Sequence, residues 1–297
     1  MGIESFAEDV KENVERKIGK GYDVSVRKVD KNNGVTLTGL CVKQDGTNIS
    51  PVIYMDSHYE GYKKGSTTPA DTADYVAYIC RKKRHAADMR RFLNYGDIKN
   101  SIVYSLVNTD KNRELLKDLP HLEYLDLSII FQCLVEDSEI GTATMLIHNA
   151  HAKLWGVSER ELYGAASENT PKLCGYELKS IGQILQEIML EKELPERTDS
   201  GISLPLYVLT NRRRTDGAAC ILYPNFLKDF SEALGRGFYI IPSSVHETLI
   251  LPAGDMENCG ELREMIKEVN DTQLLPEEIL SYSLYYYDRE NDEVRML

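Results

Sequence analysis

Apolar positions near the N-terminus recur every four residues, at Phe6, Val10, Val14 and Ile18, which is one face of a helix. Ser5 and Glu8 have capping-box spacing, so the helix is expected to start there, and Gly19 and Gly21 are expected to stop it. The period then changes from four to two. Tyr22, Val24 and Val26 alternate with polar residues, Asn33-Gly34 is a strong hairpin signal, and Val35 and Leu37 resume the alternation. A third strand is expected over 49–54 after Asp45-Gly46. Residues 56–95 are expected to be helical, with Pro69 and Asp71 at a helix start.

The rest of the chain mixes the two periods. Strands are expected over 102–107, 127–135, 142–147, 206–209, 218–223, 238–241 and 245–251, with a closing hairpin over 284–287 and 293–296. A short helix is expected after Asn112, and a second capping box at Ser158 and Glu161 opens a helix with Leu162, Ala165 and Ala166 on its apolar face. Helices are also expected at 181–189, 226–234 and 262–269, and a surface loop at 191–204. Strands and helices follow no regular alternating beat. The fold class is therefore α+β: an N-terminal helix, a three-stranded antiparallel meander and helices in residues 1–98, then a mixed α/β body with a larger, mostly antiparallel sheet in 99–297.

Composition adds a division of charge. The 297-residue chain has a net charge of −12. Residues 1–115 hold 19 Lys and Arg against 16 Asp and Glu (+3), and 116–297 hold 16 against 31 (−15). The acidic part should repel nucleic acid and anionic membranes. No apolar run is long enough to span a bilayer, the N-terminus lacks the apolar stretch of a signal peptide, and Phe6 stands where a myristoylation signal needs Ser or Thr. The six cysteines lie far apart with no metal-ligand spacing, and are read as small buried residues.

Three segments carry candidate chemistry. Pro242-Ser243-Ser244-Val245-His246-Glu247 gathers hydroxyls, an imidazole and a carboxylate, the residue types a nucleophilic hydrolase needs. Strand alternation puts Ser244 and His246 on one face and Ser243 and Glu247 on the other, so Glu247 is badly placed to orient His246. The plainer reading is a serine-stabilised turn. His148-Asn149-Ala150-His151 would set two imidazoles side by side on a helix start, with Asn149 as N-cap. Nothing nearby completes a metal set, Trp155 is read as a core anchor, and a polar junction is the plainer reading. Arg81, Lys82, Lys83 and Arg84, with Arg90 and Arg91 beyond them, lie among Tyr59, Tyr62, Tyr75, Tyr78 and Tyr95, an interleaving suited to nucleic acid. Here the plainer reading is a solvated helix face, and Arg212-Arg213-Arg214 is read likewise as an exposed loop run. Phosphate-binding glycine signatures are absent, so no cofactor and no metal are expected.

Longer strings carry a resemblance. VDKNNGVTLTGL, PVIYMDSHYEGYKKG, YLDLSIIFQCLVED, GTATMLIHNAHAKLWGVSERELYGAASENT, YIIPSSVHETLILP and EEILSYSLYYYDRE look like the clostridial domain-of-unknown-function family numbered 5688. From about residue 142 onward, through WGVSEREL and PSSVHE, the chain is also distantly similar to the family numbered 1444, found in bacilli. The resemblance implies a cytoplasmic bacterial protein of an anaerobic Firmicute and brings no catalytic residue with it. The favoured expectation is a non-enzymatic binding or accessory module acting through protein contacts, with no membrane partner. It is motivated by the missing catalytic constellations and by tyrosines such as Tyr282, Tyr285, Tyr286 and Tyr287. The alternatives are a hydrolase or transferase using Ser243 or Ser244 with His246, and nucleic-acid binding through residues 63–91.

Overall fold

The computed structural model describes residues 1–45, 52–82, 92–137, 141–191, 206–254 and 259–297. It divides the chain into two units, Met1–Ile98 with Leu134–Met145, and Lys99–Cys133 with Leu146–Leu297. The four-residue apolar repeat forms α1 (Ile3–Ile18), with Phe6, Ala7, Val10 and Val14 buried. The helix starts earlier than the Ser5–Glu8 pattern predicts. Gly2 is its N-cap without any side-chain cap, because half-buried Ile3 lies one turn before Phe6 and Ala7 and extends the same apolar face. Gly19 ends the helix at φ 76°, a conformation glycine adopts without cost.

Next come β1 (Tyr22–Asp30), β2 (Thr36–Gln44) and β3 (Val52–Tyr54), an antiparallel sheet in the order β1-β2-β3. Asn33 at φ 61° and Gly34 at φ 68° turn the first hairpin, the two left-handed residues that an Asn-Gly turn supplies. Residues 49–51 of the predicted third strand lie outside the described residues. Helices α2 (Asp56–Lys63), α3 (Pro69–Lys82) and α4 (Tyr95–Ile98) follow in the first unit. Its core packs Phe6, Val10 and Val14 with Leu40, Val42, Met55 and Val76, and the Phe6 ring lies 5.6 Å from that of Tyr59 and 5.2 Å from that of Tyr62.

Strand β4 (Ile102–Asn108) is buried along its whole length. It is followed by α5 (Arg113–Leu116), β5 (His121–Tyr124), β6 (Leu127–Asp137) and β7 (Gly141–Leu146). These strands make a four-stranded sheet in the order β4-β6-β5, with β7 on β6, and β6 and β7 contribute residues to both units. After α6 (Asn149–Trp155) the Ser158–Glu161 capping box forms as predicted and opens α7 (Glu159–Cys174). Helix α7 is fixed to the β4 end of the unit by polar contacts. Asn169 Nδ2 donates to the carbonyls of Lys99 and Ile102, and Thr170 Oγ1 accepts from the Tyr104 amide at 3.1 Å.

The remaining elements are β8 (Glu177–Ser180), α8 (Ile181–Glu191), β9 (Tyr207–Thr210), α9 (Phe226–Leu234), β10 (Phe238–Ile241), β11 (Glu247–Pro252), α10 (Cys259–Gln273), β12 (Tyr285–Asp288) and β13 (Glu293–Met296). Their strands form a six-stranded antiparallel sheet in the order β13-β12-β10-β11-β9-β8. Ile241, Leu251, Leu262, Ile266 and Leu284 are a core against it. The fold is α+β. Most of the predicted surface loop, 192–204, lies outside the described residues.

Two element expectations are corrected. Residues 217–222 form a 3-10 helix (Gly217–Leu222), not a strand. Gly217 to Ile221 are buried all round, and a short run with no exposed face has no period to tell a strand from a helical turn. The strand expected from residue 245 begins at Glu247, because the backbone before it is hydrogen-bonded elsewhere. The C-terminal tyrosines also divide. Tyr285 and Tyr287 face the core, fully buried, while Tyr282 and Tyr286 reach the surface wholly or in part.

Candidate functional site

The 242–247 segment is a hydrogen-bonded corner. Pro242 and Ser243 carbonyls accept from the amides of Ser281 and Leu280, the Val245 amide donates to Glu278 O, and the Val245 carbonyl accepts from Ala218. Ser243 and Ser244 are 6% and 3% exposed. Ser244 Oγ accepts from the His246 backbone N–H at 3.0 Å, which is the serine-stabilised turn. The His246 ring faces the other way. Its Nδ1 accepts from the Asp216 backbone N–H at 3.3 Å, which leaves a proton on Nε2, 3.8 Å from Glu278 Oε1. Glu278, distant in sequence, therefore meets the imidazole, while Glu247 pairs in register with Thr210 at the start of β11. The contacts of the described residues bring no serine hydroxyl to the ring. Burial pushes the Asp216 carboxyl up, opposed by His246, by the Gln132 amide at 3.4 Å and by Arg213.

The paired histidines form a latch. His148, not Asn149, is the residue that caps α6. Its backbone N–H donates to His151 Nδ1 at 3.0 Å, and its own Nδ1 lies 2.7 Å from Asp118 Oδ2. Asn149 instead ties α6 to the loop after α5, donating from its backbone to Asp118 O at 2.8 Å and from its side chain to Lys117 O at 3.0 Å. His151 stacks on Trp155 at 5.6 Å, and burial, then the neighbouring His148, holds its imidazole below the ordinary value. Among the described residues no group of three or more His, Cys, Asp or Glu could hold a metal.

In the basic segment, Arg81 Nη2 donates to the Lys17 carbonyl at 3.0 Å, so this cation caps the end of α1. The Lys82 side chain, Lys83 and Arg84 lie outside the described residues. Tyr59 and Tyr62 pack on Phe6, whereas Tyr75 and Tyr78 are exposed on α3.

A further site joins residues that no sequence pattern links. The C-terminal end of α7 and the loop after β9 enclose a cavity of about 310 Å3 lined by Lys172, Leu173, Cys174, Tyr176, Arg212 and Arg213, among others. The Arg212 side chain lies against Gly175, with its Cδ 3.0 Å from where a Cβ would stand. Gly175 takes φ 59°, so a side chain there would be both strained and obstructed. Arg213 is half-buried, and Leu173 and Tyr176 are 42% and 52% exposed at the rim. The arginine run was visible in the sequence as surface charge. Its meeting with α7 is a tertiary event that neither segment signals alone. A second cavity of about 370 Å3, between the 3-10 helix and β13, is lined by Lys228, Asp292 and Glu293, and its charges compensate within it through Lys228–Asp292 at 3.8 Å.

All six cysteines are free thiols, five buried and Cys259 half-buried. No helix among the described residues is long and apolar enough to cross a membrane. No curated protein and no solved structure matches the chain. The profile of one family does, over residues 3–289, nearly the whole length. The chain therefore belongs to the Family of unknown function (DUF5688).

Proposed function

We propose that this chain is a non-catalytic binding module that acts through protein contacts in the bacterial cytoplasm. The observation that carries the reading is the cavity at the end of α7, where Arg212 and Arg213 line the wall and exposed Leu173 and Tyr176 form the rim. Arginine and tyrosine are the residue types that recognition surfaces concentrate. The serine and histidine of the 242–247 corner support it from the other side, since each is engaged in holding the turn. Free thiols in every cysteine accord with a reducing compartment. The −15 charge of residues 116–297 disfavours nucleic acid as a partner of the body as a whole.

The test is a photo-crosslinking amino acid at Leu173 in the full chain, expressed in bacterial cells, beside a broad hydrolase and transferase panel. The expected result is a discrete protein adduct that the arginine-to-glutamine double variant R212Q/R213Q loses, with no turnover in the panel. Turnover that His246→Ala abolishes would overturn the reading, as would the absence of any arginine-dependent adduct.

A further inference from the structure

We propose that the cavity at the end of α7 receives an acidic peptide segment, with a carboxylate between Arg212 and Arg213 and a neighbouring apolar side chain against Leu173 and Tyr176. This deepens the binding-module reading and rests on it.

The first support is a contrast among cations. Several other basic residues of the acidic body have carboxylates at hand: Lys179 meets Glu177 and Glu187 at 3.0 and 2.8 Å, Arg214 meets Glu177 at 3.5 Å, and Arg113 meets Asp110 at 2.7 Å. Lys153, Arg160 and Arg263, which have none among the described residues, are exposed to water. Among the described residues, neither Arg212 nor Arg213 closes such a pair. Asp216 feels Arg213 only at longer range, and it is already held by Gln132. Lys172, the third cation of the cavity, reaches Glu168 only at 3.9 Å with both side chains largely exposed. Arg213 is half-buried with no carboxylate of the described residues within ion-pair distance, Arg212 is exposed beside it, and a bound carboxylate would give both a close partner.

The second support removes the obvious structural role. Cations at a helix C-terminus often serve to satisfy its last carbonyls. Here Pro171 O accepts from the Gly175 amide at 3.0 Å, Cys174 O from the Arg212 backbone amide at 3.1 Å, and Gly175 O from the Tyr223 hydroxyl at 3.0 Å, so these three carbonyls are satisfied without either guanidinium. Both arginines line the cavity.

Size and rim select the ligand class. A volume of about 310 Å3 is at the small end for ligand pockets and holds one or two side chains of a peptide. The rim supplies two exposed apolar contacts, which a free inorganic anion could not use.

The experiment uses the full chain and a fluorescein-labelled peptide of alternating Glu and Leu, read by anisotropy. Its controls are the Gln/Leu counterpart and inorganic phosphate as competitor. The expected results are micromolar binding of the Glu/Leu peptide that weakens with salt, no binding of the Gln/Leu peptide, and loss of roughly tenfold or more in affinity in R212Q/R213Q. Leu173→Asp, with its fold checked against the parent by far-UV circular dichroism, should also weaken binding by repelling the peptide. Equal binding by R212Q/R213Q or by Leu173→Asp would overturn the proposal, as would no binding at all. Displacement by inorganic phosphate at the peptide's own concentration would overturn it too, by making the cavity a phosphate site. If the Leu173 cross-link persists while the acidic peptide fails, only the choice of ligand falls. If the cross-link is absent, the binding-module reading falls with it.

Discussion

Asp126 lies in the turn between β5 and β6 and accepts three hydroxyl hydrogen bonds: from Ser281 Oγ at 2.6 Å, from Ser283 Oγ at 2.9 Å, and from Tyr285. Ser281 and Tyr285 are fully buried. Asp126→Ala removes the common acceptor and leaves these donors without one. Hydrogen bonds to a charged group contribute about 1.5–3 kcal/mol each, and a stranded buried donor costs about 1–3 kcal/mol. Ser283 is only half-buried and can turn to water, so two donors carry most of the cost. The expected loss is about 3–5 kcal/mol in the stability of the second unit. Tyr285→Phe removes one bond and should cost about 1–2 kcal/mol alone, yet little in the Asp126→Ala background, where its acceptor is already gone. Urea unfolding followed by the fluorescence of the single Trp155, beside far-UV circular dichroism, measures all four corners of this cycle. An Asp126→Ala variant within about 0.5 kcal/mol of the parent, or strict additivity with Tyr285→Phe, would refute the assignment of Asp126 as the shared acceptor.

Three other outcomes follow from local geometry. Ser158→Ala should cost about 1 kcal/mol by uncapping α7, measured by the shift in urea midpoint. Gly217→Ala should cost roughly 3 kcal/mol or more, because a Cβ there would run into Thr210 Oγ1, the His246 carbonyl and, at 2.7 Å, the Asn211 amide; soluble yield and thermal midpoint report it. His151 has a folded value held below its ordinary 6.5, so the unfolded chain takes up the proton first. Stability from this group is complete above about pH 6.5 and declines as pH falls through and below that point, and His151→Gln should flatten that part of the stability profile.

Much of the fold could be read from local signals because those signals persist in the folded state. Ser158 and Glu161 cap α7 as their spacing implies, and Asn33-Gly34 turns the first hairpin. The misreadings share a cause, in that a competing contact takes over a local pattern. Ser5 and Glu8 lost the start of α1 to an apolar contact one turn earlier. Asn149 lost the cap of α6 to His148 because Asp118 and Lys117 claim its amide groups. At the candidate site, the strand-parity argument rested on a strand that begins only at Glu247, and Glu278 could not be paired with His246 from sequence. Nor could Arg212 and Arg213 be paired with the end of α7, where the loop after β9 returns to Gly175.

The six-stranded sheet has two outer strands, and their composition bears on how this protein keeps to itself. β8 carries Glu177 and Lys179, and β13 carries Glu293 and Arg295 beside a tight turn in which Asp292 takes φ 51°. Unpaired backbone along a sheet edge invites a further strand from any passing chain, and short edges dotted with charge are how proteins refuse it. Each outer strand here is only four residues long. Copies of the protein should therefore resist edge-to-edge stacking at high concentration, and recognition falls to side chains rather than to an added strand.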